Sequence, residues 1–204
     1  MRFRQAIDIT LGGRRFRGNH MSLMNKYPRL TDLEAPAARR IPKFVFAYLD
    51  SGTGQDQAKD HNRAYLDGIE LTPQFMRGRV NPDLTTKLFG HSYKAPFGVA
   101  PIGLSSLIWP GAESILGAAA KAHGFPYILS TVAGESLEMV AKAAGEMAWF
   151  QLYAPKDRDV MTDLLRRAKE NGYETIVVTA DVPAPSRRES MRIAGAPLGS
   201  RGNS

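Results

Sequence analysis

The sequence predicts an α/β fold built on a parallel sheet, and three observations carry that prediction. After residue 96, short apolar runs alternate with helical stretches. The runs are continuously apolar rather than alternating, as expected of strands buried on both faces. Each run ends in small or polar residues, and the carboxyl ends of parallel strands are where such folds place a site.

The elements follow in order. Thr31-Asp32-Leu33-Glu34 reads as a capping box with Thr31 at the N-cap. The helix it opens should stop near Arg40, because Pro42 disfavours helical backbone at Ile41. Pro42 then starts a second helix over Lys43–Asp50, closed by Gly52 or Gly54. A third helix is expected over Gln55–Leu66. Residues 69–96 read as short extended pieces and turns, broken at Asn81-Pro82-Asp83. Strands are expected at Phe97–Ala100, Tyr127–Leu129, Trp149–Leu152 and Thr175–Thr179. The intervening helices are Ala112–His123, Ser136–Ala144 and Asp157–Asn171, the last ending at Gly172. Four strands with three helices between them make βαβ units with right-handed crossovers. The chain thus divides into a flexible basic tail (1–30), N-terminal helices and short strands (31–96), β/α units (97–186) and the start of a mobile loop (187–204).

Composition removes several function classes. The 204 residues are 43% hydrophobic and 23% charged, which is ordinary globular composition. With no cysteine there is no disulfide scaffold, thiol nucleophile or cysteine-bound metal, and no metal site is expected. The net charge of +7 suggests nucleic acid, but its distribution argues otherwise. Residues 1–20 hold five Arg and one Asp, and residues 187–204 hold four Arg and one Glu, so residues 21–186 are neutral. A nucleic-acid binder spreads basic residues over a folded face, so none is expected as partner. No run of apolar residues is long enough to span a membrane, and the N-terminus lacks a secretory apolar core. The first twenty residues read as a tail, or as an over-extended start with the natural beginning at Met21. Cytoplasm is the default location, with the basic ends able to touch an anionic inner-membrane surface.

The strand ends are Ala100-Pro101-Ile102-Gly103, Ser130-Thr131, Gln151 with Tyr153, and Thr179 with Asp181. Any single Ser or Thr there equally caps the next helix; the four ends together point to one site. Two nucleotide-binding patterns fail. Ser51-Gly52-Thr53-Gly54 follows a helix and has Gln57 where a dinucleotide fingerprint needs its third glycine, and no phosphate-binding P-loop occurs. The repeating strands favour a barrel.

At this point the chain resembles the FMN-dependent α-hydroxy-acid dehydrogenases, from about Asp32 to about Glu189. The segments that carry the resemblance are Pro42-Lys43 to Tyr48, Ser51-Gly52, Asn62-Arg63, Ala95-Pro96-Phe97, Ala100 to Gly103, Leu129-Ser130-Thr131, Trp149 to Tyr153, Lys156-Asp157-Arg158, and Thr179-Ala180-Asp181 followed by Arg187-Arg188-Glu189. The resemblance implies an eight-stranded (β/α) TIM barrel with FMN at its C-terminal mouth, of which about four β/α units are present. It implies that the backbone of Pro101, Ile102 and Gly103 lies against the flavin ring. Ser130, Gln151 and Thr179 would hydrogen-bond its polar edge. Tyr48, Tyr153 and Arg188 would face the substrate, a small 2-hydroxy acid. Ala180 stands where the family usually has Val, and Ser186 where it has Gly, with Pro185 stiffening the same loop. Gly103 stands where oxidases of the family often have Ala, and where members passing electrons to a quinone or cytochrome often have Gly.

The resemblance further implies that the histidine base and the phosphate site lie beyond residue 204, since His20, His61, His91 and His123 match no catalytic position. The chain is therefore expected to be the N-terminal portion of a longer enzyme. That enzyme would be an L-lactate dehydrogenase passing electrons to a quinone or cytochrome, homo-oligomeric when complete. The alternatives are an oxidase that makes hydrogen peroxide and a truncated, non-catalytic fragment.

Overall fold

The computed structural model of the chain describes residues 10–11, 14–15, 25–78, 81–180 and 187–195. Thr10–Leu11 (β1) and Arg14–Arg15 (β2) pair antiparallel. The rest of the segment read as a tail before residue 25 lies outside the described residues, as do Asp181, Pro185 and Ser186.

The N-terminal layer is helical. A 3-10 turn over Leu30–Leu33 leads into α1 (Glu34–Arg40). The cap differs from the expected one. The turn begins at Arg29, whose amide donates to Asp32 Oδ2 at 3.0 Å and whose Nε donates to Asp32 Oδ1 at 3.0 Å. A carboxylate takes the amide on one oxygen and the guanidinium on the other with its charge matched, which the neutral single oxygen of Thr31 does not offer. The helix ends at Arg40 and Ile41 is extended (ψ 136°), as the following Pro42 requires. Next come α2 (Lys43–Asp50) and α3 (Gln57–Asp67). The third helix starts two residues later than expected, because Asp56 sits at φ +65°, outside helical backbone.

An antiparallel hairpin follows, β3 (Thr86–Leu88) with β4 (His91–Tyr93). Tyr93 is buried, its hydroxyl accepting from Trp149 Nε1 at 2.9 Å, and His91 Nε2 lies 2.8 Å from Glu174 Oε2. Trp149 and Glu174 belong to the starts of parallel strands, so the hairpin closes the amino end of the sheet.

The sheet itself holds β5 (Tyr127–Ser130), β6 (Ala148–Leu152) and β7 (Thr175–Val178), all parallel and in that order. It is preceded by the short α4 (Ser105–Ile108) and by α5 (Ala112–His123), and its strands alternate with α6 (Leu137–Ala144) and α7 (Arg158–Glu170). Among the described residues the sheet is open, with no strand beyond β7. The strand expected at Phe97–Ala100 shrinks to one parallel bridge between Val99 and Tyr127. Val99 N donates to Pro126 O at 2.8 Å and Val99 O accepts from Ile128 N at 3.1 Å. Pro96 and Pro101 have no N–H to extend the ladder. Gly98 presses on Pro126 so closely that a Cβ would stand 2.6 Å from it.

Tyr127, Leu129, Ala148, Phe150 and Leu152 face the helices and pack with Leu137, Val140, Ala144 and Ala168. Such burial is the main favourable term holding the layers together. The layers meet closely where Gly117 of α5 faces Ala144 of α6, since a Cβ at Gly117 would stand 3.1 Å from Ala144 Cβ. No described helix is long and apolar enough to cross a membrane.

Two helices of the outer layer are joined by a forked ion pair. Arg167 donates to Glu138 from Nε at 2.7 Å and from Nη2 at 3.1 Å. The Arg167 hydrogen bonds hold the Glu138 carboxyl at about 2, below its ordinary 4.5. A carboxyl depressed on folding stabilises above its ordinary value and loses that contribution as pH falls towards the folded value. Glu138→Gln is therefore expected to lower the urea midpoint at neutral pH, with the gap to wild type narrowing between pH 4.5 and about 2. A gap that stays constant or widens on acidification would contradict this.

Candidate functional site

The hairpin leaves the carboxyl ends of the strands as the open end, and the polar strand tips meet there. Side chains alternate between faces along a strand. With Leu129 and Phe150 turned to the helices, Ser130 and Gln151, paired in register, turn to the other face. Both are buried, at 4% and 2% exposure. Gln151 Oε1 accepts from Ser130 Oγ and from Thr131 N, each at 3.3 Å. Gln151 Nε2 donates to Thr179 Oγ1 at 2.8 Å. Thr179 is placed by its own amide, which donates to Leu152 O at 3.1 Å. One uncharged chain of hydrogen bonds thus crosses all three strands.

Beside it lies the turn after Val99. Gly103 O accepts from the Tyr48 hydroxyl at 3.1 Å, and Leu104 N donates to Val132 O at 2.9 Å. Ser105 Oγ donates to Ile102 O at 2.8 Å, so the Pro101–Gly103 backbone is held from both sides. Leu104 has φ +54°, a left-handed conformation that costs a non-glycine residue about 1–2 kcal/mol. A Cβ at Gly103 would stand 2.8 Å from Val132 Cγ2 and 3.1 Å from the Tyr48 hydroxyl oxygen. Only glycine fits here without moving Tyr48 or Val132.

The structure brings Arg188 to the same rim. Its Nη1 donates to Tyr48 O at 3.0 Å, and its guanidinium carbon lies 5.5 Å from the centre of the Tyr48 ring. Tyr153 follows β6, is 43% exposed, and donates its amide to Thr131 Oγ1 at 3.0 Å. The nine residues singled out in the sequence therefore form two linked groups. Ser130, Gln151 and Thr179 make one; Tyr48, Pro101, Ile102, Gly103 and Arg188 make the other; Tyr153 joins the first through Thr131.

Sequence reasoning placed Thr131 at a strand end without giving it a contact, and gave Glu113 no role. Thr131 donates its hydroxyl to Gln151 O while accepting from Tyr153 N, so it fixes where β6 ends. Its position directly after Ser130 was the available signal. Glu113, fully buried in the first turn of α5, ties two strand-tip loops together. It accepts from Ser106 N at 3.1 Å, from Gly134 N at 2.8 Å and from the Ser106 hydroxyl. Burial pushes its carboxyl up, but the hydrogen bonds from Ser106 and Gly134 outweigh burial and leave it below its ordinary value.

Comparison with known proteins gives the family of the chain. A sequence model described as FMN-dependent dehydrogenase matches residues 37–203. The chain belongs to the FMN-dependent dehydrogenase family. FMN is that family's cofactor. The chain is 40% identical over 158 residues to an L-lactate dehydrogenase of Ectopseudomonas mendocina, covering 78% of this chain and 42% of that protein. An L-lactate dehydrogenase of Stenotrophomonas maltophilia is 37% identical over the same length. The crystal structure of a mandelate oxidase with benzoyl-formic acid superposes with a TM-score of 0.78 at 34% identity, over 85% of this chain and 52% of that one. The chain thus spans about half the length, or less, of the relatives it matches.

Glu113→Ala takes the acceptor from the part-buried bonds of the Ser106 and Gly134 amides, a loss of about 1–3 kcal/mol in all. Urea denaturation should show that loss, and Glu113→Gln, which keeps one acceptor oxygen, should lose less. Equal stability of wild type and Glu113→Ala would remove the clamp.

Proposed function

We propose that this chain supplies the flavin-edge and substrate-carboxylate contacts of an FMN-dependent L-2-hydroxy-acid dehydrogenase that converts L-lactate to pyruvate. The observation that carries the proposal is the buried Ser130–Gln151–Thr179 chain beside the Cβ-free backbone at Gly103. The names of the curated relatives support lactate as the substrate.

The residues fit the cofactor chemically. An isoalloxazine edge offers both acceptors and donors, and neutral amide and hydroxyl groups match both. Ser130, Gln151 and Thr179 would hold that edge, with the Pro101–Gly103 backbone against the ring. FMN, when bound, supplies the acceptor for the electron pair that leaves the hydroxyl-bearing carbon. Arg188 would bind the substrate carboxylate by two parallel charge-assisted bonds. Its guanidinium already lies over the Tyr48 ring and bonds Tyr48 O, contacts that restrain it before substrate arrives. The Tyr48 and Tyr153 hydroxyls would orient the carboxylate or the hydroxyl of the substrate.

The proton on the substrate hydroxyl needs a base from elsewhere in the enzyme. His91 is paired with Glu174 at the opposite end of the sheet. His123 stacks on Phe125 at the end of α5, His61 lies on α3, and His20 is outside the described residues. The open β7 edge is where the further strands of the family's barrel would continue.

The mandelate oxidase structures favour a second reading, an oxidase that passes electrons to oxygen. Gly103 supports the dehydrogenase reading, since an added methyl there would crowd Tyr48 and Val132 beside the place the flavin ring would take. The test is anaerobic titration of the FMN-loaded holoenzyme with L-lactate. Bleaching of the flavin spectrum, with quinone or cytochrome but not oxygen restoring it, is the expected outcome; no bleaching by any 2-hydroxy acid would sink the proposal. Gly103→Ala is expected to change the ratio of oxygen to dye turnover, and an unchanged ratio would remove the ground that Gly103 gives for the dehydrogenase.

A further inference from the structure

Arg188 lies on a short segment whose own structure is too small to hold it. The segment forms α8 (Glu189–Ile193), a helix of five residues, and isolated helices that short are unstable in water. What holds it comes from far away in the chain. Gly54, between α2 and α3, makes a parallel bridge with Arg188. Gly54 N donates to Arg187 O at 2.6 Å, and Gly54 O accepts from Glu189 N at 3.3 Å. Next to this bridge stands Asp56. Its Oδ1 accepts from Gly52 N at 2.6 Å and its Oδ2 accepts from the Ser190 hydroxyl at 2.7 Å.

One carboxylate therefore joins the turn after the helix that bears Tyr48 to the residue two beyond Arg188. The guanidinium needs such support. A planar fork recognises a carboxylate bidentately only when its plane is fixed. Here the plane is fixed at one end by Tyr48 and at the other by the backbone that the Gly54 bridge and Asp56 restrain. Among the described residues the Asp56 carboxylate bonds only Gly52 N and the Ser190 hydroxyl, and neither partner is at a strand tip.

We propose that Asp56 is a positioning residue. Through Ser190 and the Gly54 bridge it holds Arg188 against Tyr48 in the orientation that takes the carboxylate of a 2-hydroxy acid. The proposal rests on the functional reading above. Asp56 acts on binding of the carboxylate, and leaves the flavin contacts of Ser130, Gln151 and Thr179 untouched.

The test uses the FMN-loaded holoenzyme with Asp56→Asn, Ser190→Ala, their double variant and Ser190→Thr. Asn tolerates the left-handed backbone at this position, and each change is small enough to preserve the fold. Oxalate serves as the carboxylate probe, read by its perturbation of the flavin spectrum. Asp56→Asn and Ser190→Ala are each expected to weaken oxalate binding and raise KM for lactate by about fivefold to tenfold, with kcat and FMN affinity within about twofold of wild type. The double variant should be no worse than Asp56→Asn, because both changes break one bond, and Ser190→Thr should restore wild-type affinity. Unchanged oxalate affinity in both single variants would overturn the proposal, as would additive losses or a failed rescue. Amide exchange at Gly54 and Glu189 reads the latch independently of any ligand: faster exchange in Asp56→Asn supports it and equal exchange overturns it. A wild-type holoenzyme that binds neither oxalate nor lactate would instead overturn the functional reading.

Discussion

The carboxamide of Gln151 is the group on which the architecture of the strand tips depends. It is buried in a parallel sheet, where an amide left unpaired would cost about 1–3 kcal/mol. Its oxygen is satisfied from β5 and its nitrogen from the residue after β7. A slip of one residue in either pairing would turn Ser130 or Gln151 towards the apolar helix side. The sheet register and the polar row are therefore one constraint. Burial that favours Leu129 and Phe150 on one face commits Ser130 and Gln151 to the other.

Around that row, two carboxylates hold loops. Glu113 gathers the turn after Val99 and the turn after β5. Asp56 gathers the turn after α2 and the segment carrying Arg188. Both spend their oxygens on nearby amides and hydroxyls. The opposite end of the sheet carries Tyr93, Phe89 and Trp149, whose rings meet edge to face at 5.5 and 5.9 Å.

Much of this was legible in the sequence, for local reasons. Pro42 marks the break between α1 and α2, and Gly124, at φ +70°, ends α5. Asp157 caps α7 by accepting from Asp159 N at 2.8 Å. Apolar runs located β5, β6 and β7 to within a residue. Their polar ends marked Ser130, Gln151 and Thr179 as neighbours, because parallel strands bring their ends to one edge. Less legible were features set by distant contacts. The close approach of Gly98 to Pro126 is one such feature. A Glu in a first helical turn reads as a surface charge favoured by the helix dipole, and the burial of Glu113 depends on a loop 21 residues away. Asp56 reads as turn chemistry until Ser190, 134 residues on, is brought beside it. The four-residue α4 and five-residue α8 carry too little pattern to stand out.

The central claim is that the row through Gln151 is a recognition surface for the flavin edge as well as a support for the sheet. The most direct measurement is the FMN dissociation constant of wild type and Gln151→Leu, from quenching of flavin fluorescence, with far-UV circular dichroism to verify the fold. Leucine keeps the volume and removes both hydrogen-bonding groups. The account predicts affinity lower by about tenfold or more in a variant that keeps its secondary structure. Equal FMN affinity in a folded Gln151→Leu protein would contradict it.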